Sequence, residues 1–369
     1  MRSASHLLGR FAGTAVRRPL PRRGGRVAAP RTRAMLAGLA ALAMLAGMAA
    51  TAGTAATTAR AHAASAAAGA AEERSVSVLY AGSLAGVMEH GVGPAFTRAT
   101  GYASQGEAQG SLGAAQMIRD HVRTPDVFIC ADPSIDDSLL MGPANGQLVK
   151  WYALLASSQL VLAYNPQSRF APRLAAARAG KAAWYEVLET PGLRFGRGDP
   201  TIDPKGYRTL FLFQLAARHY HRPELPGLLG DAVNPAQVFP EIVLLARVES
   251  GQFDAGFFYR HEVVAHQLPY ITLPPEIDQG DVRLAGLYAQ ESYTTPSGHH
   301  VTGSPILFTI AIPETVHHRA AALEFVRFLL SSNALLTQYG FGTVDHRVTG
   351  DPALVPAQLR GLTAAAARR

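Results

Sequence analysis

The chain has 369 residues, of which 48% are hydrophobic and 17% are charged, so it is long enough to bury a sizeable core and to form two lobes. Its net charge of +7 is at first sight typical of a nucleic-acid binder. Residues 1–71, however, hold ten arginines and no acidic residue, so the rest of the chain carries a net charge of −3. The body therefore offers no polyanion-binding surface, and no nucleic-acid partner is expected.

Residues 1–74 are expected to form an export signal and a disordered linker. An arginine-rich stretch precedes an apolar run from Met35 to about Ala50, and small residues follow, which is the order of a cleaved secretory leader. An uncleaved anchor is the alternative, but the run is short for a span, which needs roughly 20 apolar residues. Met35 is a second candidate for the start of the leader. Cys130 is the only cysteine; it permits no disulfide and stands too late for a lipoprotein anchor, so a free periplasmic protein is predicted.

Strand and helix patterns alternate from Ser75 onward, which is the signature of an α/β fold. Strands are predicted, in chain order, at Ser75–Tyr80, Tyr102–Ala108, Val127–Ala131, Gln159–Tyr164, Leu193–Gly196, Ala255–Tyr259, Tyr270–Leu273 and Ile306–Ile312. Helices are predicted at Leu84–Thr100 (interrupted by Gly91, Gly93 and Pro94), Leu112–His121, Tyr207–Tyr220, Pro240–Ser250 and Glu314–Leu330.

Small or polar residues stand at four predicted turns from strand to helix. The first turn of a helix carries unpaired N–H groups and a partial positive charge, so it is a ready anion site. In open α/β sheets such turns gather at the carboxyl ends of the strands, where ligands bind. Each turn alone is also explained as ordinary helix capping. The four turns are Ala81–Leu84 (AGSL), Gln109–Leu112 (QGSL), Asp203–Gly206 (DPKG) and Phe239–Glu241 (FPE).

Catalytic and cofactor motifs do not stand out. The chain has no nucleophile elbow, phosphate loop or dinucleotide fingerprint, and its histidine pairs lack the partners of a zinc site. We expect neither an enzyme nor a resident cofactor.

Longer segments make the chain resemble the periplasmic tungstate- and molybdate-binding proteins of ABC transporters, in particular their archaeal-type branch. The resemblance runs in order from about Ser75 to Val344, and its most specific segment is Phe195–Arg208 (FGRGDPTIDPKGYR). The other segments that carry it are Ala81–Leu84, Ala131–Ser134, Trp151–Tyr152, Leu160–Tyr164, Val248–Gly251, Phe257–Tyr259 and Ala322–Leu330.

The resemblance implies a set of ligand-binding residues. Ser83 and Ser111 match two serines that bind the oxyanion from the first lobe, and Tyr259 matches a tyrosine that closes over it. Lys205 occupies a position where a backbone N–H faces the anion. Its side chain departs from the Cys or Ala expected there, which matters only if it adds a charge to the site.

The same resemblance implies that Asp203 and Glu241 reach the molybdenum or tungsten atom and raise its coordination from four to six. Carboxylates should repel a dianion, but high-valent metal centres accept oxygen ligands. Sulfate has no such metal centre and would meet only repulsion. From the residues alone, the favoured interpretations are that Asp203 is a helix cap and that Glu241 is an acidic residue of a first helical turn.

The implied fold is a two-lobe α/β fold of the type II periplasmic-binding kind, with a ligand cleft and a two-segment hinge. Lobe one is expected at 75–158 plus 273–350, lobe two at 159–272, and a C-terminal tail at 351–369. A monomer that delivers tungstate or molybdate to an ABC permease at the inner membrane is the implied function. The alternatives are another oxyanion, such as sulfate or phosphate, a ferric ion with carbonate, or a sensor or enzyme on the same scaffold.

Overall fold

The computed structural model describes residues 74–365, so the predicted export signal lies outside the described residues. Strands in this part of the chain are β1 (Ser75–Ala81), β2 (Ala103–Gln109), β3 (Val127–Cys130), β4 (Trp151–Ser157), β5 (Leu160–Tyr164), β6 (Phe195–Gly198), β7 (Val238–Phe239), β8 (Ala255–Tyr259), β9 (Tyr270–Thr272), β10 (Ser292–Thr294), β11 (His300–Thr302), β12 (Leu307–Ala311), β13 (Arg347–Gly350) and β14 (Ala364–Ala365).

The α-helices of five or more residues in the described range are α1 (Gly93–Thr100), α2 (Ser111–Arg119), α3 (Ala171–Arg178), α4 (Trp184–Leu188), α5 (Pro204–His219), α6 (Glu241–Glu249), α7 (Arg260–Ala265), α8 (Arg319–Leu330) and α9 (Asn333–Gln338). Shorter α-helical turns are Ala85–Val87, Pro133–Ile135, Pro275–Asp278 and Ala285–Tyr288. The 3₁₀ turns are Gly82–Leu84, Pro143–Asn145, Leu225–Leu229, Val282–Leu284 and Pro352–Leu354, and π turns lie at Met88–Val92 and Asp136–Leu140.

Two sheets organise the described residues, one of seven strands in the order β14-β13-β4-β12-β3-β1-β2 and one of five in the order β7-β6-β8-β5-β9. In the larger sheet β1 pairs in parallel with β2 and β3, whereas β12 runs antiparallel to β3 and β4. In the smaller sheet β6 is parallel to β7 and β8, and β5 is antiparallel to β8 and β9. The chain passes from one sheet to the other between β4 and β5 and returns after β9. This confirms the predicted α/β fold class.

Apolar helix faces cover the sheets and explain why these elements form. In α8 the side chains of Ala321, Ala322, Phe325, Val326 and Leu329 are buried, which is the spacing of one face of an amphipathic helix. Phe325 meets Phe96 of α1 edge to face, with ring centroids 5.0 Å apart, a favoured aromatic geometry. Cys130 is fully buried in the core, as predicted.

Most predicted elements are confirmed within two residues, and the differences have physical causes. The helix predicted from Tyr207 begins at Pro204, because Asp203 caps it and proline is well tolerated in the first turn. The stretch 84–100 stays helical through a π turn, with Pro94 in the first turn of α1. Strand β4 was missed, because a strand buried along almost its whole length shows no alternation. The last predicted helix begins at Arg319 rather than Glu314.

The segment between β9 and β12 packs on α5. Gln279 Nε2 donates to the carbonyl of Arg208 at 2.9 Å, and Arg218 pairs with Glu291 at 2.8 Å. Tyr293 and Val301 of the β10–β11 hairpin pack against Tyr207. This segment therefore joins the helix of the smaller sheet to the chain that returns to the larger sheet. None of the helices in residues 74–365 is both long and apolar enough to cross a membrane.

A buried acid in the core makes stability depend on pH. Asp136 is fully buried; Thr309 Oγ1 donates to its Oδ2 at 2.5 Å, and its Oδ1 has no partner among the described residues. Burial raises the pKa of Asp136 to about 8. The folded protein therefore holds one more proton than the unfolded chain between about pH 4 and about pH 8. Over this window the group makes the free energy of unfolding fall as the pH rises.

Asp136→Asn should remove this part of the pH dependence. Relative to the wild type, the variant should gain stability between pH 5 and pH 8 by an amount on the order of a few kcal/mol, because the amide needs no proton to stay neutral. Chemical denaturation at both pH values measures the change, with the exposed Asp120→Asn as control. If the free energy of unfolding of the wild type and of Asp136→Asn changed equally with pH, Asp136 would not be the source of this pH dependence.

Candidate anion-binding cleft

The predicted site residues all stand where a strand ends and a helical segment begins. Ser83 lies in the 3₁₀ turn after β1, and Ser111 opens α2 after β2. Asp203 is the N-cap of α5, Glu241 opens α6 after β7, and Tyr259 ends β8. All five side chains are buried. The two sheets thus present their carboxyl-end turns to each other, which is where ligands bind in open α/β folds.

Asp203 has one oxygen that serves the helix and one that is free. Its Oδ1 accepts from the backbone N–H of Lys205 at 2.9 Å, so the residue does cap α5. Its Oδ2 is buried with no hydrogen-bond partner in the described part of the chain. Burial raises the pKa of Asp203 well above its usual range, and the charge of Glu241 raises it further, against the opposing effect of Lys205. A capping role alone does not explain the second oxygen.

Lys205 enters the site through its side chain. Its N–H, which was predicted to face the anion, is engaged by Asp203. Its fully buried Nζ lies 2.6 Å from Glu262 Oε1 and 3.0 Å from Glu241 Oε1. The contact with Glu241 is an ion pair without hydrogen-bond alignment. Burial lowers the pKa of Lys205, but the charges of Glu241 and Glu262 outweigh it, so the pKa is raised and the amine stays charged.

Glu262 is a site residue that sequence reasoning missed. Its Oε2 accepts from the backbone N–H of Tyr259 at 2.7 Å, which fixes the start of α7. Burial raises the pKa of Glu262, and Lys205 opposes the shift. The spacing of Tyr259 and Glu262, an N-cap and the third helical position, was a signal for the backbone contact. No local pattern indicated the pairing with Lys205, which is 57 residues away.

Two hydroxyls in the cleft have no partner within residues 74–365. They are Ser83 Oγ and the phenol oxygen of Tyr259, both buried. Burial raises the pKa of Tyr259 well above its usual range, so the hydroxyl keeps its proton and remains a donor. A buried hydroxyl without a partner costs free energy in the ligand-free protein. These two donors are therefore candidates for contacts with a bound molecule.

The start of α2 is covered by the opposite side of the cleft. Leu112 N and Gly113 N donate to the carbonyl of Ile202 at 3.2 and 3.4 Å. Ser111 Oγ accepts from the backbone N–H of Ala131 at 3.1 Å, so the predicted ligand serine also ties α2 to β3. A Cβ on Gly110 would lie 2.6 Å from the Ile202 carbonyl oxygen. Only glycine permits this close approach of the two backbones.

An ion pair crosses the cleft beside the predicted residues. Asp132, which follows β3, accepts from Arg208 Nη2 at 2.9 Å and from the Tyr207 hydroxyl at 2.7 Å. Burial raises the pKa of Asp132, but Arg208 and Tyr207 outweigh it, so the pKa is lowered and the carboxylate stays ionised. Nε and Nη1 of Arg208 have no partner among the described residues. Both residues stand in segments that carried the family resemblance, but this role was not predicted.

His261 makes a second link across the cleft. The buried imidazole places Nε2 3.2 Å from the carbonyl oxygen of Ser83 and Nδ1 3.0 Å from Ser158 Oγ. Its ring stacks on Phe341, with centroids 4.1 Å apart. Burial, with a smaller effect of Lys205, lowers the pKa of His261 well below its usual range. The neutral ring therefore donates from Nε2 to Ser83, while Nδ1 accepts from Ser158.

A resident metal site was not found in the part of the chain that is described. No group of three or more His, Cys, Asp or Glu side chains there is arranged to hold a metal ion. The acidic cluster of the cleft instead has a lysine ammonium between two of its carboxylates. The chemistry that this arrangement supports is the non-covalent binding of a small polar molecule.

Comparisons with known proteins show which sequences this chain is similar to. The family model described as bacterial extracellular solute-binding protein matches residues 76–342. A Haloferax volcanii protein, provisionally named an ABC transporter molybdenum-binding protein, is 39% identical over 64% of this chain and 72% of its own length. The molybdate/tungstate-binding protein of Pyrococcus abyssi is 29% identical over 67% of this chain and 79% of its own length.

One solved structure supports the predicted two-lobe fold. The periplasmic molybdate-binding protein of Azotobacter vinelandii superimposes with a TM-score of 0.53 and 17% identity, covering 73% of this chain and 99% of that one. At this identity the likeness concerns the fold alone. The type II periplasmic-binding architecture, with a cleft between two lobes and a two-segment hinge, is thereby confirmed.

Proposed function

The chain belongs to the family of bacterial extracellular solute-binding proteins, and on this premise we propose that it captures tungstate or molybdate in the cleft between its lobes and delivers the anion to an ABC importer. The observation that carries the proposal is a group of buried polar atoms in the cleft that have no partners among residues 74–365: Ser83 Oγ, Tyr259 OH, Asp203 Oδ2, and Nε and Nη1 of Arg208. The names of the relatives from Haloferax and Pyrococcus support the choice of ligand.

Donors in this group match the oxygens of a tetrahedral anion. A buried dianion needs a hydrogen bond or a charge for each oxygen, because leaving an ion unpaired in the protein interior is costly. Ser83 and Tyr259 supply hydroxyl protons, and Arg208 supplies guanidinium protons beside them. Ser111 contributes a hydroxyl at the start of α2, whose Leu112 and Gly113 N–H groups are engaged by the Ile202 carbonyl.

The carboxylates select the kind of anion. When both acids are ionised, Asp203 Oδ2 and the carboxylate of Glu241 would repel the oxygens of any dianion. A molybdenum or tungsten centre can accept these carboxylate oxygens as further ligands, which offsets the repulsion. Sulfur in sulfate cannot. We therefore assign the two carboxylates to the metal atom of the bound anion, which is cargo rather than a resident cofactor.

Closure of the cleft would trap the anion. We assign residues 75–158 and 273–350 to lobe one and residues 159–272 to lobe two, with the segment that packs on α5 bridging them. A ligand that touches both lobes stabilises the closed form, which then docks on the permease. The protein would act as a monomer in the periplasm after its export signal is cleaved, and no covalent chemistry is assigned to it.

Replacing the two carboxyl groups by amides should shift the selectivity from tungstate and molybdate toward sulfate. In Asp203→Asn/Glu241→Gln we expect affinity for tungstate and molybdate to fall at least about a hundredfold, or about 2.7 kcal/mol, because amides are poor ligands for the metal. Sulfate should bind more tightly than to the wild type, because the repulsion is gone. Calorimetric titration with the three anions at constant ionic strength measures both effects.

The asparagine keeps an oxygen that can cap α5, so the fold is tested separately from the site. Asp351→Asn/Glu186→Gln is the matched control, because Asp351 caps an exposed 3₁₀ turn and Glu186 stands in the first turn of α4. Unchanged tungstate binding by Asp203→Asn/Glu241→Gln would mean that the two carboxylates do not take part in binding the anion. If the wild-type protein binds none of the three anions, the proposed function is wrong.

Tyr259→Phe should change stability and binding in opposite directions. The ligand-free variant should be more stable by about 1 kcal/mol, because it no longer buries an unpaired hydroxyl. Its tungstate affinity should fall about tenfold, because the anion loses a hydrogen bond in a dry site. Thermal denaturation without ligand and calorimetry with it measure the two effects.

Tyr288→Phe is the control for this experiment. The buried Tyr288 hydroxyl donates to the carbonyl of Pro275 at 2.5 Å, so its loss should destabilise the protein and leave binding unchanged. If Tyr259→Phe behaved like Tyr288→Phe, the Tyr259 hydroxyl would have no ligand role.

A further inference from the structure

We propose that the Lys205 ammonium is a specificity-determining group that lets the cleft accept tetrahedral dianions without a coordinating metal, such as sulfate, at the expense of selectivity for tungstate and molybdate. This inference rests on the proposed function, because it concerns the same anion site. It goes beyond a backbone contact of Lys205, since it assigns the effect to the charged end of the side chain.

Burial, two aromatic rings and two carboxylates hold the Lys205 ammonium in the cleft. The side chain is fully buried, and Nζ lies 5.1 Å from the centre of the Phe258 ring and 5.9 Å from that of Tyr259. Its backbone is fixed by the cap of α5. A buried lysine with two carboxylate contacts cannot swing to solvent without leaving those carboxylates unpaired, which is strongly unfavourable. The positive charge is therefore a permanent part of the site.

The two carboxylate contacts of Lys205 are unequal. Glu262 Oε1 accepts a hydrogen bond at 2.6 Å, and Tyr259 N holds the other oxygen of Glu262 in place. Glu241 Oε1 lies 3.0 Å away without hydrogen-bond alignment. Glu262 thus anchors the ammonium, while Glu241 shares its charge. Glu241 Oε1, which faces Lys205, is also buried without a hydrogen-bond partner among the described residues.

This geometry affects the two classes of anion differently. Lys205 weakens the repulsion by Glu241 for any dianion, since opposite charges close together offset each other. For tungstate and molybdate it also competes with the metal for the Glu241 oxygen. For sulfate, which has no metal atom, Lys205 only reduces the repulsion by Glu241. Without the ammonium, sulfate would be repelled by the unpaired charge of Glu241. The metal atom of tungstate or molybdate could instead bind the Glu241 carboxylate, which Lys205 would no longer occupy.

Lys205→Met tests this difference directly. The measurement is a competition titration at constant ionic strength, in which sulfate displaces tungstate from the protein. We expect the ratio of the sulfate and tungstate dissociation constants to rise at least about tenfold over the wild type, because sulfate loses the charge that offsets Glu241 and cannot gain a carboxylate ligand in exchange.

Glu262→Gln should act with the opposite sign. The ammonium loses its charged anchor and turns its charge toward Glu241 and the anion, so the same ratio should fall about threefold or more. Lys150→Met, which removes a lysine from an exposed pair with Glu314, is the control and should leave the ratio unchanged. If Lys205→Met fails to fold, Lys205→Met/Glu262→Gln removes both charges of the buried pair and should still raise the ratio.

Two results would overturn the inference while leaving the proposed function intact. One is a wild type that binds tungstate but releases none of it to sulfate. The other is an equal change of both dissociation constants in the lysine variants. Wild-type protein that binds none of the anions would overturn the proposed function, and this inference with it.

Discussion

Burial of like charges beside one another is the constraint on which the cleft depends. Asp203, Glu241 and Glu262 stand together where the strands of the smaller sheet end, and one lysine ammonium lies among them. Carboxylates in a dry interior repel each other and lose their hydration. The protein tolerates them because Lys205 supplies a charge and because backbone N–H groups hold one oxygen each of Asp203 and Glu262.

The fold supplies those backbone groups and brings the two sides of the cleft together. Helices begin directly after β1, β2, β7 and β8, so their first turns and the cap of α5 converge on one space. The contacts across it are a backbone pair at Ile202, the buried ion pair of Asp132 with Arg208, and the imidazole of His261. Each would be broken or rearranged if the lobes parted, so the same residues that shape the site also set how firmly it closes.

Local sequence patterns predicted eight of the fourteen strands of the described residues, five of the nine longer α-helices, and the turns that carry Ser83, Ser111, Asp203 and Glu241. They succeed there because capping and strand-end chemistry depend on neighbouring residues. The family resemblance added the roles of these residues and of Tyr259. The partners of Lys205 and Asp132 could not be predicted in this way, because those contacts join residues 57 and 76 positions apart. Strand β4 was not predicted, because it is buried almost throughout and its sequence lacks the alternation of a half-exposed strand.

Whether Asp203 and Glu241 reach the metal atom of the anion can be measured by X-ray absorption at the tungsten edge of the tungstate complex. We expect a six-coordinate spectrum for the wild type, with two oxygen neighbours more distant than the four of tungstate itself, and a four-coordinate spectrum for Asp203→Asn/Glu241→Gln. A wild-type complex whose spectrum matches that of free tungstate would contradict this expectation, and the cleft would then be a hydrogen-bonding site with acidic walls.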